Sequence, residues 1–220
     1  MAGNIVQPEG NYYDKYESKN PIVKRLMKGF FDALDEMIAV SGLDKMGGYC
    51  LEAGCGEGNV TQHLYKWICK RQAKVRIKAF DISDMLIKRN ATKIKNIEYF
   101  SHNIYTEIEE DRLPENGRFD LILCSEVLEH LERPEEAVKN LMTYGDRFIF
   151  SVPNEPIWRI LNMVRGRYLR SFGNTPGHIQ HFSMKSFKRM LMDSGFVVIK
   201  SSTPLPWLMV YCEKNKNAKK

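Results

Sequence analysis

Apolar side chains along this chain fall in two periods, and the switches between them outline its elements. Ile22, Val23, Leu26, Met27, Phe30, Phe31, Leu34, Met37 and Ile38 recur at helical spacing, predicting a helix within an N-terminal cover over residues 1–45. Beyond it, short apolar or alternating runs trade places with amphipathic ones. Strands are predicted at 48–51, 75–80, 97–103, 119–125 and 147–152, the last ended by Pro153. Helices are predicted near 58–72 (Val60, Leu64, Trp67, Ile68), near 83–94, and from Pro134 to Tyr144, where Gly145 stops the helix. Ser183 caps a further helix with Phe187, Met190 and Leu191 on its buried side, ended by Gly195. Segments 196–201 and 205–212 form a closing pair of strands, followed by a basic tail at 213–220. Strands alternating with helices imply a parallel sheet with right-handed crossovers, and the last hairpin makes one strand antiparallel. No repeat or linker interrupts the pattern, so residues 1–220 read as one domain.

The most informative stretch joins the first strand to its helix: Leu51-Glu52-Ala53-Gly54-Cys55-Gly56-Glu57-Gly58. Glycines at alternate positions let a backbone approach a ligand closely and adopt positive φ. The helix that follows offers free N–H groups at its start. The dinucleotide fingerprint G-x-G-x-x-G would need glycine where Asn59 stands, and Glu52 would repel a diphosphate. The pattern E-x-G-x-G-x-G suits a ligand carrying a cation, such as an amino acid's ammonium. About 20 residues on, Asp81 ends the second strand, where an acid can take both ribose hydroxyls. The third strand runs to His102 and Asn103. The fourth, Phe119 to Ser125, is apolar enough for a sheet centre and leads into Glu126-Val127-Leu128-Glu129-His130.

The glycine loop resembles motif I of the class I S-adenosylmethionine-dependent methyltransferases. The FDLILCSEVLEHL block resembles motif IV of the branch that includes the ubiquinone-pathway O-methyltransferases. The resemblance runs from position 48 to 200. It implies a Rossmann-like α/β fold: seven strands, mostly parallel, in the order 3-2-1-4-5-7-6, with helices on both faces. It also implies S-adenosylmethionine as cofactor, with Glu52, Ser125 and Glu126 at the methionine end. Gly54, Cys55, Gly56 and Gly58 would allow close backbone approach, and Asp81 would hold the ribose. Ile82, Met85 and Ile104 would border the adenine, with Asn103 on its amino group. Family members often carry Asp at the position of Asn103, and an amide can still accept from the adenine amine. Glu126-x-x-Glu129-His130 is similar to the ligand set of metal-dependent relatives, including small-RNA 3′-end methyltransferases, and His178 or His181 could complete it. Relatives without a metal carry the same block, so the metal question stays open.

Methyl transfer from a sulfonium asks the protein to position an acceptor and, where needed, to remove its proton. The candidate bases are His181, His178 and His130, with Tyr12, Tyr13 and Tyr16 as further candidates. Residues 153–182 form a long insertion, expected to be a substrate lid. Ile157, Ile160, Leu161, Val164 and Tyr168 share a helical face there, beside Trp158 and Arg159, Arg165, Arg167 and Arg170. Such a helix can close a cavity, lie on a membrane surface, or pack into the core with solvated arginines. An NAD-dependent oxidoreductase on a similar sheet and a non-catalytic cofactor-binding module are the alternative functions.

Composition narrows the partners. At 220 residues and 43% hydrophobic, the chain can bury the core of one soluble domain. No apolar run approaches the ~18 residues of a membrane span, and the polar N-terminus does not read as a signal peptide. Five cysteines without a C-x-x-C pair are expected to be reduced thiols of a cytoplasmic protein. The net charge of +6 is segregated: between Glu155 and Met190 stand seven cations and one anion. That window points to a small-molecule or lipid-like acceptor with an anionic or apolar portion. A second basic run, Lys66 to Lys78, falls at the sheet end away from the cofactor and reads as a solvated face. With neither an appended module nor a long basic track, tight nucleic-acid binding is not expected.

Overall fold

Residues 20–155, 157–158, 163 and 179–216 are described by a computed structural model. Seven strands form one sheet: β1 (Gly48–Ala53), β2 (Val75–Asp81), β3 (Ile97–Ser101), β4 (Leu121–Ser125), β5 (Arg147–Pro153), β6 (Phe196–Ser202) and β7 (Trp207–Lys214). Their order is β3-β2-β1-β4-β5-β7-β6. Strands β1 to β5 pair in parallel, while β7 runs antiparallel to both β5 and β6. This is the expected Rossmann-like arrangement, with all five parallel strands ending at one edge.

Helices among the described residues cover it, namely α1 (Pro21–Ser41), α2 (Leu43–Met46), α3 (Asn59–Arg71), α4 (Asp84–Ala91), α5 (Pro134–Leu141) and α6 (Met184–Asp193). Successive strand residues point to opposite faces, so the central strands are apolar on both. Leu51, Ile122, Phe148, Phe150 and Val210 pack with Val138 and Leu141 of α5 and Phe187 and Leu191 of α6. Cys50, Leu123, Ile149 and Met209 pack on the other face with Phe30, Leu34 and Met37 of α1 and Leu64 and Trp67 of α3. Each such side chain contributes about 1.5–3 kcal/mol when fully buried. Within the expected N-terminal cover, α1 thus lies on the same face as α3, the helix leaving the glycine loop. Asn20 caps α1 by accepting from Ile22 N at 2.9 Å, Pro21 occupies its first turn, and Gly42 ends it at φ 73°.

Several boundaries differ from expectation. β5 runs one residue further than expected, with Pro153 as its last member, pairing with Trp207. A terminal position needs no further ladder donor, so proline is tolerated there. β7 starts at Trp207 rather than at 205, because Pro204 and Pro206 form a turn in which Pro204 O accepts from Trp207 N. Phe119 stands outside β4, making one isolated bridge to Gly145. His102 and Asn103 lie beyond β3, α4 and α5 are shorter than the periodicity suggests, and α2 was not expected. Glu213 and Lys214 are strand rather than tail, and Asn215 N donates to Gly195 O at 2.9 Å. Lys78 is buried, paired at 2.9 Å with Glu98, so the basic run is not wholly a solvated face. Most of the expected lid lies outside the described residues, including Ile160, Leu161, Val164, Tyr168, the four arginines and His178; so do Tyr12, Tyr13 and Tyr16.

Candidate functional site at the carboxyl edge of the sheet

Ligands of open α/β sheets bind beyond the carboxyl ends of the strands, and the predicted residues converge there. Gly54, Gly56 and Gly58 follow β1 with φ of 76°, 49° and 77°. A Cβ on Gly54 would stand 2.4 Å from Val127 Cγ2, and one on Gly58 would stand 3.0 Å from the Asn90 amide. A Cβ on Gly56 would meet nothing within 4 Å, so the loop's crest is open to close approach. The loop is stitched to β2: the N–H groups of Gly54 and Cys55 both donate to Phe80 O at 2.8 Å. Asn90, fully buried on α4, donates to Gly56 O at 2.7 Å.

Glu52, the next-to-last residue of β1, stands just before these glycines and is only 2% exposed. The Thr61 hydroxyl of α3 donates to it through a short hydrogen bond. Burial pushes its carboxyl up to about 8; Thr61 opposes the shift and the charge of Asp81 adds to it. Near neutral pH the acid therefore holds a proton. Asp81 accepts from Gly56 N at 2.8 Å and from Ser83 N at 3.0 Å, one bond to each carboxylate oxygen. Each oxygen can accept a second bond, which fits a pair of vicinal hydroxyls. Burial, with Glu52 and Asp81 adding, pushes the Cys55 thiol up. Cys50, Cys124 and Cys212 are buried, with thiols likewise raised, and Cys69 is exposed; all five are unbridged.

The side chains beyond Asp81 suit a flat apolar group. Ile82 and Met85 are 51% and 56% exposed. Across from β2, the loop after β3 carries exposed Asn103 and buried Ile104. Asn103 Oδ1 accepts from Tyr105 N at 3.1 Å, and Asn140 of α5 holds Ile104 O at 2.8 Å. Burial draws the His102 imidazole below its ordinary pKa, against the opposing pull of Thr106 O, 3.2 Å from Nε2, and of Glu109.

At the end of β4 the Ser125 hydroxyl meets that of Ser151 at 2.6 Å. Glu126 follows with φ 61°, its N–H donating to Ser151 O at 3.0 Å. The Glu126 carboxylate accepts from the Trp207 indole at 2.8 Å, which directs it across β5 toward β7. Glu129 is 1% exposed, and its carbonyl accepts from Ile179 N and Gln180 N at 2.8 and 3.0 Å. Glu155 N donates to Phe182 O at 3.2 Å. The returning chain is thereby held at the ends of both β4 and β5. His181 Nδ1 lies 3.6 Å from buried Glu155, and His130 Nε2 lies 3.9 Å from Glu129, both distances longer than hydrogen bonds. Among the described residues no three His, Cys, Asp or Glu side chains gather as a metal would require, and His178 lies outside them.

Thr61, Asn90 and Trp207 were not singled out from the sequence. The first two carried a signal: each is polar on the apolar face of its helix, Thr61 with Leu64 and Ile68, Asn90 with Leu86 and Ile87. Trp207 carried none.

No curated protein matches the chain. Solved structures do share its fold. A SAM dependent methyltransferase from Aquifex aeolicus is 18% identical at a TM-score of 0.60, over 91% of this chain and 98% of that one. The DszA carbon methyltransferase is 12% identical at 0.66, over 92% and 57%. The CMeT domain of the citrinin polyketide synthase is 13% identical at 0.64, over 89% and 57%, so this chain spans little more than half of the latter two. The family model described as "Methyltransferase domain" matches residues 24–201, most of the chain, and with the sheet order and glycine loop already described, the chain belongs to that family.

Proposed function

We propose that this protein transfers a methyl group from S-adenosylmethionine to a small or amphiphilic acceptor. The observation that carries the reading is the paired acids of the first two strands: a buried Glu52 behind the glycine loop, bonded by the Thr61 hydroxyl, and Asp81 anchored on Gly56. In this reading Glu52 gives up its proton to receive the ammonium, Ser125 borders the methionine end, and Glu126 borders it through its backbone while its carboxylate turns toward Trp207. The crest of Gly54, Cys55, Gly56 and Gly58 passes beneath the cofactor. Asp81 takes the ribose hydroxyls, and Ile82, Met85, Asn103 and Ile104 enclose the adenine. The cofactor, when bound, supplies both the methyl group and the leaving group. The chain's own work is to orient the acceptor, exclude water and, for an O–H or N–H acceptor, accept its proton. His181 is the first candidate base, with the buried Glu155 carboxylate beside Nδ1 able to orient the ring; His130 is the second and His178 the third. The charge excess between Glu155 and Met190 supports an acceptor with an anionic portion. An ordinary intracellular aqueous compartment is the proposed setting.

Isothermal titration with S-adenosylhomocysteine tests the cofactor reading. Gly54→Arg and Asp81→Ala are expected to abolish binding or weaken it at least about tenfold, the loss of a charge-assisted bond or more. Unchanged affinity in both would remove the site assignment. A melting-temperature rise with NAD, and none with S-adenosylhomocysteine, would favour a dehydrogenase instead.

A further inference from the structure

Trp207 joins elements that are far apart in sequence. Its backbone pairs with Pro153 at the end of β5, and its side chain is buried. The ring centroid lies 5.1 Å from Phe30 of α1 and 5.9 Å from Trp158, just beyond β5. Its one polar group, the indole N–H, donates to Glu126 Oε2 at 2.8 Å. An indole only donates, and packing on several sides leaves this one little freedom, so it fixes the carboxylate it touches. Glu126 is also held from its backbone, in the left-handed region at φ 61° with its N–H on Ser151. A non-glycine residue keeps such a conformation only when its surroundings impose it.

Direction then matters. The glycine loop and Asp81 lie over β1 and β2, on one side of β4. Trp207 lies on the other side, beyond β5. A carboxylate bonded to Trp207 is turned away from the proposed cofactor half, toward the half where Trp158, Glu155 and His181 stand. We propose that Glu126 is an acceptor-facing residue, selecting acceptors that present an O–H or N–H donor beside the methylated atom, and that Trp207 is its positioning residue. A carboxylate can accept about four hydrogen bonds, so an acceptor's donor can share it with the indole. The inference rests on the function proposed above.

The test uses the full chain, labelled S-adenosylmethionine, and a dilution series of the low-molecular-weight fraction of a cell extract as the source of acceptor. Glu126→Gln and Trp207→Phe are each expected to raise the half-maximal extract dose by about fivefold or more, while S-adenosylhomocysteine affinity stays within about twofold. Because Trp207 acts through Glu126, the double variant should be no worse than Glu126→Gln alone. In proton–nitrogen correlation spectra the Trp207 indole resonance should move in Glu126→Gln at unchanged melting temperature. An unchanged half-maximal dose in Glu126→Gln, or additive effects in the double variant, would overturn the proposal. So would an S-adenosylhomocysteine affinity weakened about fivefold or more in Glu126→Gln, which would return the carboxylate to the cofactor. Failure of the unmodified protein to bind S-adenosylhomocysteine would overturn the cofactor reading itself.

Discussion

Glu52 folds into a place that disfavours its charge. Its carboxyl rises from an ordinary 4.5 to about 8, with burial the main cause. Between those values the folded chain holds a proton that the unfolded chain has lost. Stability therefore falls as pH rises from about 4.5 through about 8, and Glu52 adds no further slope above that. Thermal melts of the ligand-free protein should show that slope, and Glu52→Gln, which cannot ionise, should lack it. Binding an ammonium runs the other way, since it favours the ionised acid. Titrations with S-adenosylhomocysteine near neutral pH, in two buffers of different ionisation enthalpy, should reveal proton release that Glu52→Gln abolishes. Identical heats in both buffers would sink the assignment of Glu52 to the ammonium. Gly54 offers a steric test of the same loop. Alanine there faces both a φ of 76° and a Cβ 2.4 Å from Val127 Cγ2. Gly54→Ala is expected to lose about 2–4 kcal/mol in urea unfolding, and Val127→Ala should restore part of it.

Among the elements, α6 shows how local chemistry sets a boundary. Ser183 and Ser186 form a reciprocal capping box, each side chain accepting from the other's backbone N–H. Ser183→Ala is expected to cost about 1 kcal/mol in urea unfolding, with the sheet unchanged by circular dichroism. That cap was legible in the sequence, as were the two-period alternation and the linear signals of Glu52, the glycines and Asp81, because each is a short-range pattern. The boundaries that were missed depend on partners elsewhere. Pro153 and Trp207 become strand ends by pairing with each other, and Phe119 leaves β4 for Gly145. The orientation of Glu126 was hidden for the same reason: its indole donor lies 81 residues away and reaches it through strand order. Thr61 and Asn90 stood between these cases. Their polarity on apolar helix faces was visible, but their partners were not.

For the whole molecule, the distribution of charge separates a small acceptor from a nucleic acid. The net +6 comes from the window between Glu155 and Met190; the rest of the chain is balanced. The fold uses much of that balance internally: Lys28 pairs with Asp32, Lys78 with Glu98, Arg118 with Asp146, Arg133 with Glu136 and Lys200 with Glu36. Arg71 lies over the Trp67 ring at 3.9 Å, and Arg76 bonds the Tyr49 hydroxyl. Cations bound to neighbouring acids and rings do not form a track at the spacing of a phosphate backbone, and surface pairs are screened by salt in any case. RNA affinity depends on how many phosphates are neutralised together, each adding about 0.7 to the salt slope for a single strand. With one short basic window available, gel shifts with single-stranded RNA at physiological salt should give a Kd weaker than about a micromolar, and a slope that only a few contacts explain. A tighter complex with a steep slope would make RNA the acceptor to pursue, and would require the basic window to act as part of a longer phosphate-binding surface.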